Sequence, residues 1–125
     1  MNALLSWAPL VARILVGGTF IWAGYQKIVG YAGMVTFAGT ALPAPEAAIV
    51  VAIVVEILGG LSVLLGYKIK WGALALAVFT VVASLAFHAD FANQVQMMFF
   101  IKNMGIVAAL LYMAQFGAGK YSMDK

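Results

Sequence analysis

The stretch "EAAIVVAIVVEILGGLSVLL" (residues 46–65) decides the fold, because its only charged side chains are Glu46 and Glu56. The hydrocarbon core of a bilayer is about 30 Å thick, so a helix of about 20 apolar residues crosses it. Three other stretches have similar length and character. The sequence therefore predicts four membrane helices, at residues 9–29, 46–65, 71–88 and 97–116.

The composition of the whole chain supports the same class. Of its 125 residues, 66% are apolar and only 9% are charged, whereas soluble domains have about 25% charged residues. The absence of cysteine excludes disulfides and iron–sulfur clusters held by this chain. The net charge of +3 is too small and scattered for nucleic-acid binding. We expect one all-α domain (residues 1–125), an integral four-helix bundle in the lipid bilayer with no nucleic-acid partner.

Charges and prolines predict how the helices are connected and oriented. Residues 30–45, rich in Gly, Thr and Pro, read as a loop that ends at the second helix, where Pro is tolerated. Four spans place both termini on one side of the membrane. That side carries Arg13, Lys68, Lys70, Lys120 and Lys125, and the other side carries Lys27 and Lys102. Because basic residues mark the cytoplasmic face, both termini are predicted to be cytoplasmic.

Polar and small residues recur at helical spacing and predict a shared interior. Ionisable side chains in membranes usually face a bundle interior, and small residues mark helix contacts. The stripes are Arg13, Gly17, Phe20, Gly24 and Lys27; Ala48, Ala52, Glu56 and Gly60; Ala73, Ala77, Thr80, Ser84 and His88; and Lys102, Gly105 and Ala109, with Asn103 beside them. We expect an outward-opening pocket with basic residues at its mouth and Glu56 near the membrane midplane.

Glu56 and His88 are the candidate catalytic residues. A carboxylate at mid-depth is costly to keep, and histidine titrates near neutrality. The candidate ligand-binding residues are Arg13, Trp22, Lys27, Asp90, Lys102 and Asn103.

Each candidate also has a structural alternative. Glu56 can form an ion pair within the bundle, His88 can hydrogen-bond at the interface, and Arg13 can anchor the first helix. Lys27 and Lys102 can extend to the headgroups, as lysine does near helix ends. A metal site is not expected, because Glu56 lies too deep to meet His88 and Asp90.

Four segments in order resemble those of the DoxX family. They are "ARILVGGTFIWAGYQKIVGY" (residues 12–31), "VVEILGGLSVLLGYKIKWGA" (54–73), "FHADF" (87–91) and "FFIKNMGIVAALL" (99–111). The matching residues include Gly24 and Lys27, Glu56, His88 and Phe91, and Lys102 and Asn103. The resemblance implies a four-helix protein of the prokaryotic plasma (inner) membrane. The family name comes from the small subunit of an archaeal thiosulfate:quinone oxidoreductase.

The resemblance and the polar interior suggest a component of a membrane redox system with a quinone or small-anion pocket. One histidine and no cysteine cannot supply a bis-histidine haem or a cluster, so we expect a quinone to be the cofactor if there is one. Whether the chain has catalytic activity of its own stays open. The alternatives are a non-enzymatic accessory or assembly subunit of a larger membrane complex and, less favoured, a small transporter. Other membrane subunits or further copies of the chain are the expected partners.

Overall fold

The fold is described here from a computed structural model, in which residues 2–124 are placed; Lys125, one of the basic residues counted above, lies outside them. The helices are α1 (Asn2–Leu5), α2 (Ala8–Val29), α3 (Tyr31–Ala38), α4 (Pro45–Leu65), α5 (Ile69–Phe87) and α6 (Gln94–Phe116). The four longest, α2, α4, α5 and α6, are each long and apolar enough to cross a membrane. The predicted four-helix membrane fold is confirmed, with helix ends within three residues of those expected.

The connection between the first two spans differs from the prediction. Eight of its residues form helix α3, so of the loop predicted at residues 30–45 only residues 39–44 connect α3 to α4 without helical structure. The segment "YAGMVTFA" contains no proline and only one glycine, so nothing in it prevents a helix. Gly30 separates α3 from α2, and Pro43 and Pro45 limit the loop at its other end.

Glycines allow α2 and α4 to pack closely. A Cβ atom placed on Gly17 would lie 2.7 Å from the carbonyl oxygen of Gly60, and one on Gly60 would lie 2.9 Å from that of Gly17. Small residues at such crossings let membrane helices approach each other. Helix α4 also packs against α5, and α5 packs against α6, so the chain order is largely the spatial order.

The predicted inward stripes hold on α2 and α5 but not on α6. The buried residues of α2 are Arg13, Gly17, Phe20 and Gly24, and those of α5 include Ala73, Ala77, Thr80 and Ser84. On α6, Lys102 and Gly105 are exposed, whereas Asn103, which was predicted to lie beside them, is half-buried, and the buried residues are Leu110 and Met113. Because adjacent residues point about 100° apart around a helix, a one-residue error rotates the predicted face away from the core.

Arg13 holds together the end of the bundle at which the chain termini lie, called the terminal end below. Its side chain is only 1% exposed. The guanidinium donates hydrogen bonds to the carbonyl oxygens of Leu64 at 3.0 Å, Lys120 at 3.1 Å and Tyr121 at 2.8 Å. These bonds join α2, the end of α4 and the C-terminal segment (residues 117–124).

The C-terminal segment also caps α5. The two carboxylate oxygens of Asp124 accept hydrogen bonds from the backbone N–H groups of Lys68 at 2.7 Å and Ile69 at 3.0 Å. The first N–H groups of a helix have no partner within the helix, so these bonds satisfy them. Trp7 and Tyr121 stack with ring centroids 4.3 Å apart on the same side of the bundle. Apart from the bond between Arg13 and Leu64, the contacts that close the terminal end all involve this segment.

Candidate functional site

A cavity of about 720 Å³ lies at the opposite end of the bundle, between the four long helices and under α3. Its walls are mostly alkyl and aromatic groups, among them Phe20, Ala52, Phe79 and Ile106. The volume is within the range of about 300–1,000 Å³ that small-molecule sites occupy. The cavity therefore has the size and the apolar character of a ligand site.

Polar side chains from α2, α4, α5 and α6 converge on this cavity. Those that line it are Thr19, Lys27, Glu56, Thr80, His88, Lys102 and Asn103. Five of them (Lys27, Glu56, His88, Lys102 and Asn103) are among the eight site residues that the sequence suggested. Thr80 belongs to the predicted inward stripe of α5 but not to the predicted site residues.

An ion pair lies at the inner part of the cavity. The ammonium of Lys27 on α2 is 2.8 Å from Oε1 of Glu56 on α4, and Glu56 is only 3% exposed. The two helices approach here because Gly24 has no side chain; a Cβ on it would lie 2.6 Å from Cγ1 of Ile57. Lys27 thus turns inward to Glu56 rather than outward to the headgroups, and each charge compensates the other.

Thr80 lies at nearly the same depth as Glu56, across the cavity on α5. Three residues beyond Glu56 along α4, Gly59 packs against Leu76, which is four residues before Thr80 on the antiparallel α5. At about 1.5 Å per residue, Glu56 and Thr80 are level to within a few Å. We call Lys27, Glu56 and Thr80 the cavity floor. Thr80 is 5% exposed, and its hydroxyl has no hydrogen-bond partner among the residues that the structure describes.

His88, Lys102 and Asn103 lie nearer the opening, and we call them the cavity mouth. Nδ2 of Asn103 donates a hydrogen bond to Oγ of Ser84 at 3.0 Å, which ties α6 to α5. The ring of His88 lies 5.2 Å from that of Phe99, and its Nδ1 has no partner within residues 2–124. Burial, followed by the positive charge of Lys102, lowers the pKa of His88 from its usual value. His88 is therefore neutral at pH 7, and Lys102 provides the positive charge of the mouth.

The other three predicted site residues lie outside the cavity. Arg13 lies at the terminal end of the bundle, where its guanidinium donates hydrogen bonds to three carbonyl oxygens. Trp22 is 62% exposed on the outer side of α2, with its ring 6.2 Å from that of Tyr25. Asp90 is exposed in the α5–α6 connection and accepts a hydrogen bond from the backbone N–H of Ala92. Between residues 2 and 124, no three His, Asp or Glu side chains come together as a metal site would require.

Comparisons with known proteins agree with this architecture. The DoxX family model matches residues 8–89, which begin with α2 and end just after His88. The inner membrane protein YqjF of Escherichia coli K12 is 40% identical over 125 residues, covering the whole chain and 95% of that protein. The inner membrane protein YphA of the same organism is 30% identical over 122 residues, covering 93% of the chain and 87% of that protein. No solved structure matches the chain. With four spanning helices and relatives of this kind, the chain is a multi-pass inner-membrane protein that belongs to the DoxX family.

Proposed function

We propose that this protein is a component of a membrane redox system and that its cavity binds a quinone or quinol. The observation that carries the proposal is an apolar cavity between membrane-spanning helices, with hydrogen-bonding side chains at two depths. A quinone headgroup is a flat apolar ring with two oxygen acceptors, and it dissolves in the bilayer. Such a ligand is matched by mostly apolar walls with a few convergent polar groups.

The residues of the cavity fit the two requirements of quinone chemistry. The ring oxygens need hydrogen-bond donors, which the hydroxyl of Thr80 at the floor and His88 at the mouth can supply. A bound quinone would supply two-electron, two-proton chemistry. Because His88 is neutral at pH 7, it can accept a proton at the mouth. Electrons must come from a substrate or from a partner protein, since the chain has one histidine and no cysteine with which to bind a redox centre.

The charge of the cavity is compatible with a small anionic reductant at the mouth. Lys27 and Glu56 cancel each other, which leaves Lys102 as the uncompensated charge among the lining residues. Lys102 is exposed, with Nζ 4.8 Å from the centroid of the Phe99 ring. A positive group at a low-dielectric opening raises the local concentration of anions. The proposal therefore includes an anionic electron donor that meets the cavity at Lys102.

Native mass spectrometry of protein released gently from its membrane, together with titration of decylubiquinone into lipid nanodiscs, tests the proposal. We expect a quinone-sized adduct, and saturable binding that His88→Ala weakens by roughly 2- to 10-fold, the value of one hydrogen bond. Asp90→Asn is the matched control, because Asp90 lies two residues away but outside the cavity. Absence of both adduct and saturable binding would refute the proposal.

A non-enzymatic accessory subunit is the second candidate, and the Lys27–Glu56 pair favours it. This pair joins α2 to α4 internally, so it can serve to fix the packing of those helices alone. The same mass spectrum separates the two candidates. A chain without adduct that stays bound to larger subunits in fixed stoichiometry would support the accessory role.

A further inference from the structure

Thr80 differs from Thr19 and Thr36, two other helical threonines, in the hydrogen bonding of its hydroxyl. The hydroxyls of Thr19 and Thr36 each donate to the carbonyl oxygen four residues earlier, at 2.7 Å and 3.0 Å. Threonine commonly satisfies itself in this way inside a helix. Thr80 is more deeply buried than either, yet its Oγ1 has no such bond and no other partner in the described part of the chain.

An unpaired hydroxyl at this position is unfavourable. A buried polar group without a hydrogen bond loses its hydration and gains nothing in return. Valine has nearly the same shape and would fill the position without that penalty. Since Thr80 lines the cavity, a ligand atom in the cavity can be the partner that its hydroxyl lacks.

The neighbours of Thr80 indicate which ligand atom fits. The ammonium of Lys27 has three N–H donors, and the carboxylate of Glu56 is engaged with that ammonium. The floor therefore offers donors, from Thr80 and Lys27, while its strongest acceptor is already paired. Around them, Phe20, Ala52 and Ile106 form apolar walls. An uncharged oxygen acceptor at the end of a flat apolar body matches this arrangement.

We infer that Thr80 is a specificity-determining residue. Its hydroxyl donates a hydrogen bond to a carbonyl oxygen of the ligand, at the end of the ligand that reaches the cavity floor. This inference rests on the proposed function for the class of ligand, a quinone. It adds that the ring binds with one carbonyl at the level of Glu56, near mid-membrane, rather than only at the mouth.

The test compares two probes of nearly equal shape, 2-methyl-1,4-naphthoquinone and 2-methylnaphthalene, which lacks both carbonyl groups. Binding is measured by equilibrium dialysis against the protein in lipid nanodiscs, with protein-free nanodiscs subtracted for partition into lipid. The variants are Thr80→Val, which removes the hydroxyl, and Thr80→Ser, which retains it. Thr36→Val is the matched control, because it removes a hydroxyl that lies outside the cavity.

We expect the unmodified protein to prefer the quinone by roughly 10- to 100-fold, as the two hydrogen bonds from Thr80 and His88 allow. Thr80→Val should lower that preference by roughly 3- to 10-fold, the value of one hydrogen bond, without weakening binding of the hydrocarbon, whereas Thr80→Ser and Thr36→Val should keep the preference of the unmodified protein. The melting temperature of Thr80→Val without probe should be unchanged or higher, because the lost hydroxyl was unpaired.

Two results would overturn the inference while leaving the proposed function intact. One is a Thr80→Val variant that keeps the full preference for the quinone. The other is a Thr80→Val variant that melts at a clearly lower temperature, which would mean that the hydroxyl is already bonded within the protein. If the unmodified protein binds neither probe, the proposed function fails, and this inference fails with it.

Discussion

The ion pair between Lys27 and Glu56 allows a quantitative prediction about stability. At 2.8 Å and an effective dielectric constant of about 20, the Coulomb attraction is about 6 kcal/mol, an upper limit because desolvation of both groups opposes it. Breaking a buried pair by removing one partner costs about 3–5 kcal/mol. Because the Lys27 side chain is 21% exposed, water screens it in part. We expect Glu56→Gln and Lys27→Met each to lower the free energy of unfolding by about 3 kcal/mol.

The double variant separates the pair from its surroundings. Lys27→Met combined with Glu56→Gln leaves no unpaired charge, so it should be nearly as stable as the unmodified protein. The coupling free energy, which is the sum of the two single losses less the small loss of the double variant, should then be about 5–6 kcal/mol. The assay is reversible unfolding in mixed micelles with increasing SDS, followed by circular dichroism. Glu46→Gln, an exposed position on the same helix, is the control and should change stability by less than about 0.5 kcal/mol. A coupling below about 0.5 kcal/mol would refute the reasoning.

Two further predictions concern the helix crossing and the cavity mouth. Gly17→Ala should destabilise the protein by about 1–3 kcal/mol, because its Cβ would lie 2.7 Å from the carbonyl oxygen of Gly60. Gly18→Ala, whose Cβ meets nothing, should be neutral or stabilising in the same unfolding assay. Equal stability of the two variants would contradict the packing of α2 against α4. The pKa of His88 is lowered in the folded protein, so folding favours the neutral ring, and stability should fall as the pH drops below about 6.5, the usual value for histidine. An NMR titration of the His88 ring should give a midpoint below that value, which Lys102→Met should raise; a midpoint at or above it in the unmodified protein would contradict the geometry.

The sequence was sufficient for the four spans because membrane thickness fixes the length of each apolar run. Helix α3 could not be found in this way. Its eight residues (Tyr31–Ala38) are too few to span, and the glycines and prolines on either side are typical of a loop. A short helix that packs against α4 is held by tertiary contacts, which hydropathy does not report.

The candidate site was predictable to the extent that the spacing of residues along a helix determines which side of the helix they face. Glu56 and His88 follow stripes of small residues on their helices. Because α2, α4 and α5 pack against one another through these small residues, the stripes predict that both side chains face inward. The pairing of Lys27 with Glu56 depends on the rotamer of the long Lys27 side chain, which the spacing of residues along the helix cannot specify. Trp22 and Asp90 are candidates by residue type and by position, in a helix or beside His88, and neither criterion distinguishes an inward-facing from an outward-facing side chain.

The hydrogen bonds of Arg13 imply an order in which the protein is assembled. Two of its three acceptors lie 107 and 108 residues later in the chain. A ribosome delivers Arg13 to the membrane long before Lys120 and Tyr121, and an unpaired guanidinium is costly in lipid. The start of α2 must therefore stay in the hydrated interface until the C-terminal segment has been synthesised. The docking of Arg13 against that segment is then among the last steps of folding. A premature stop before Lys120 would show its defect in the first span synthesised rather than in the last.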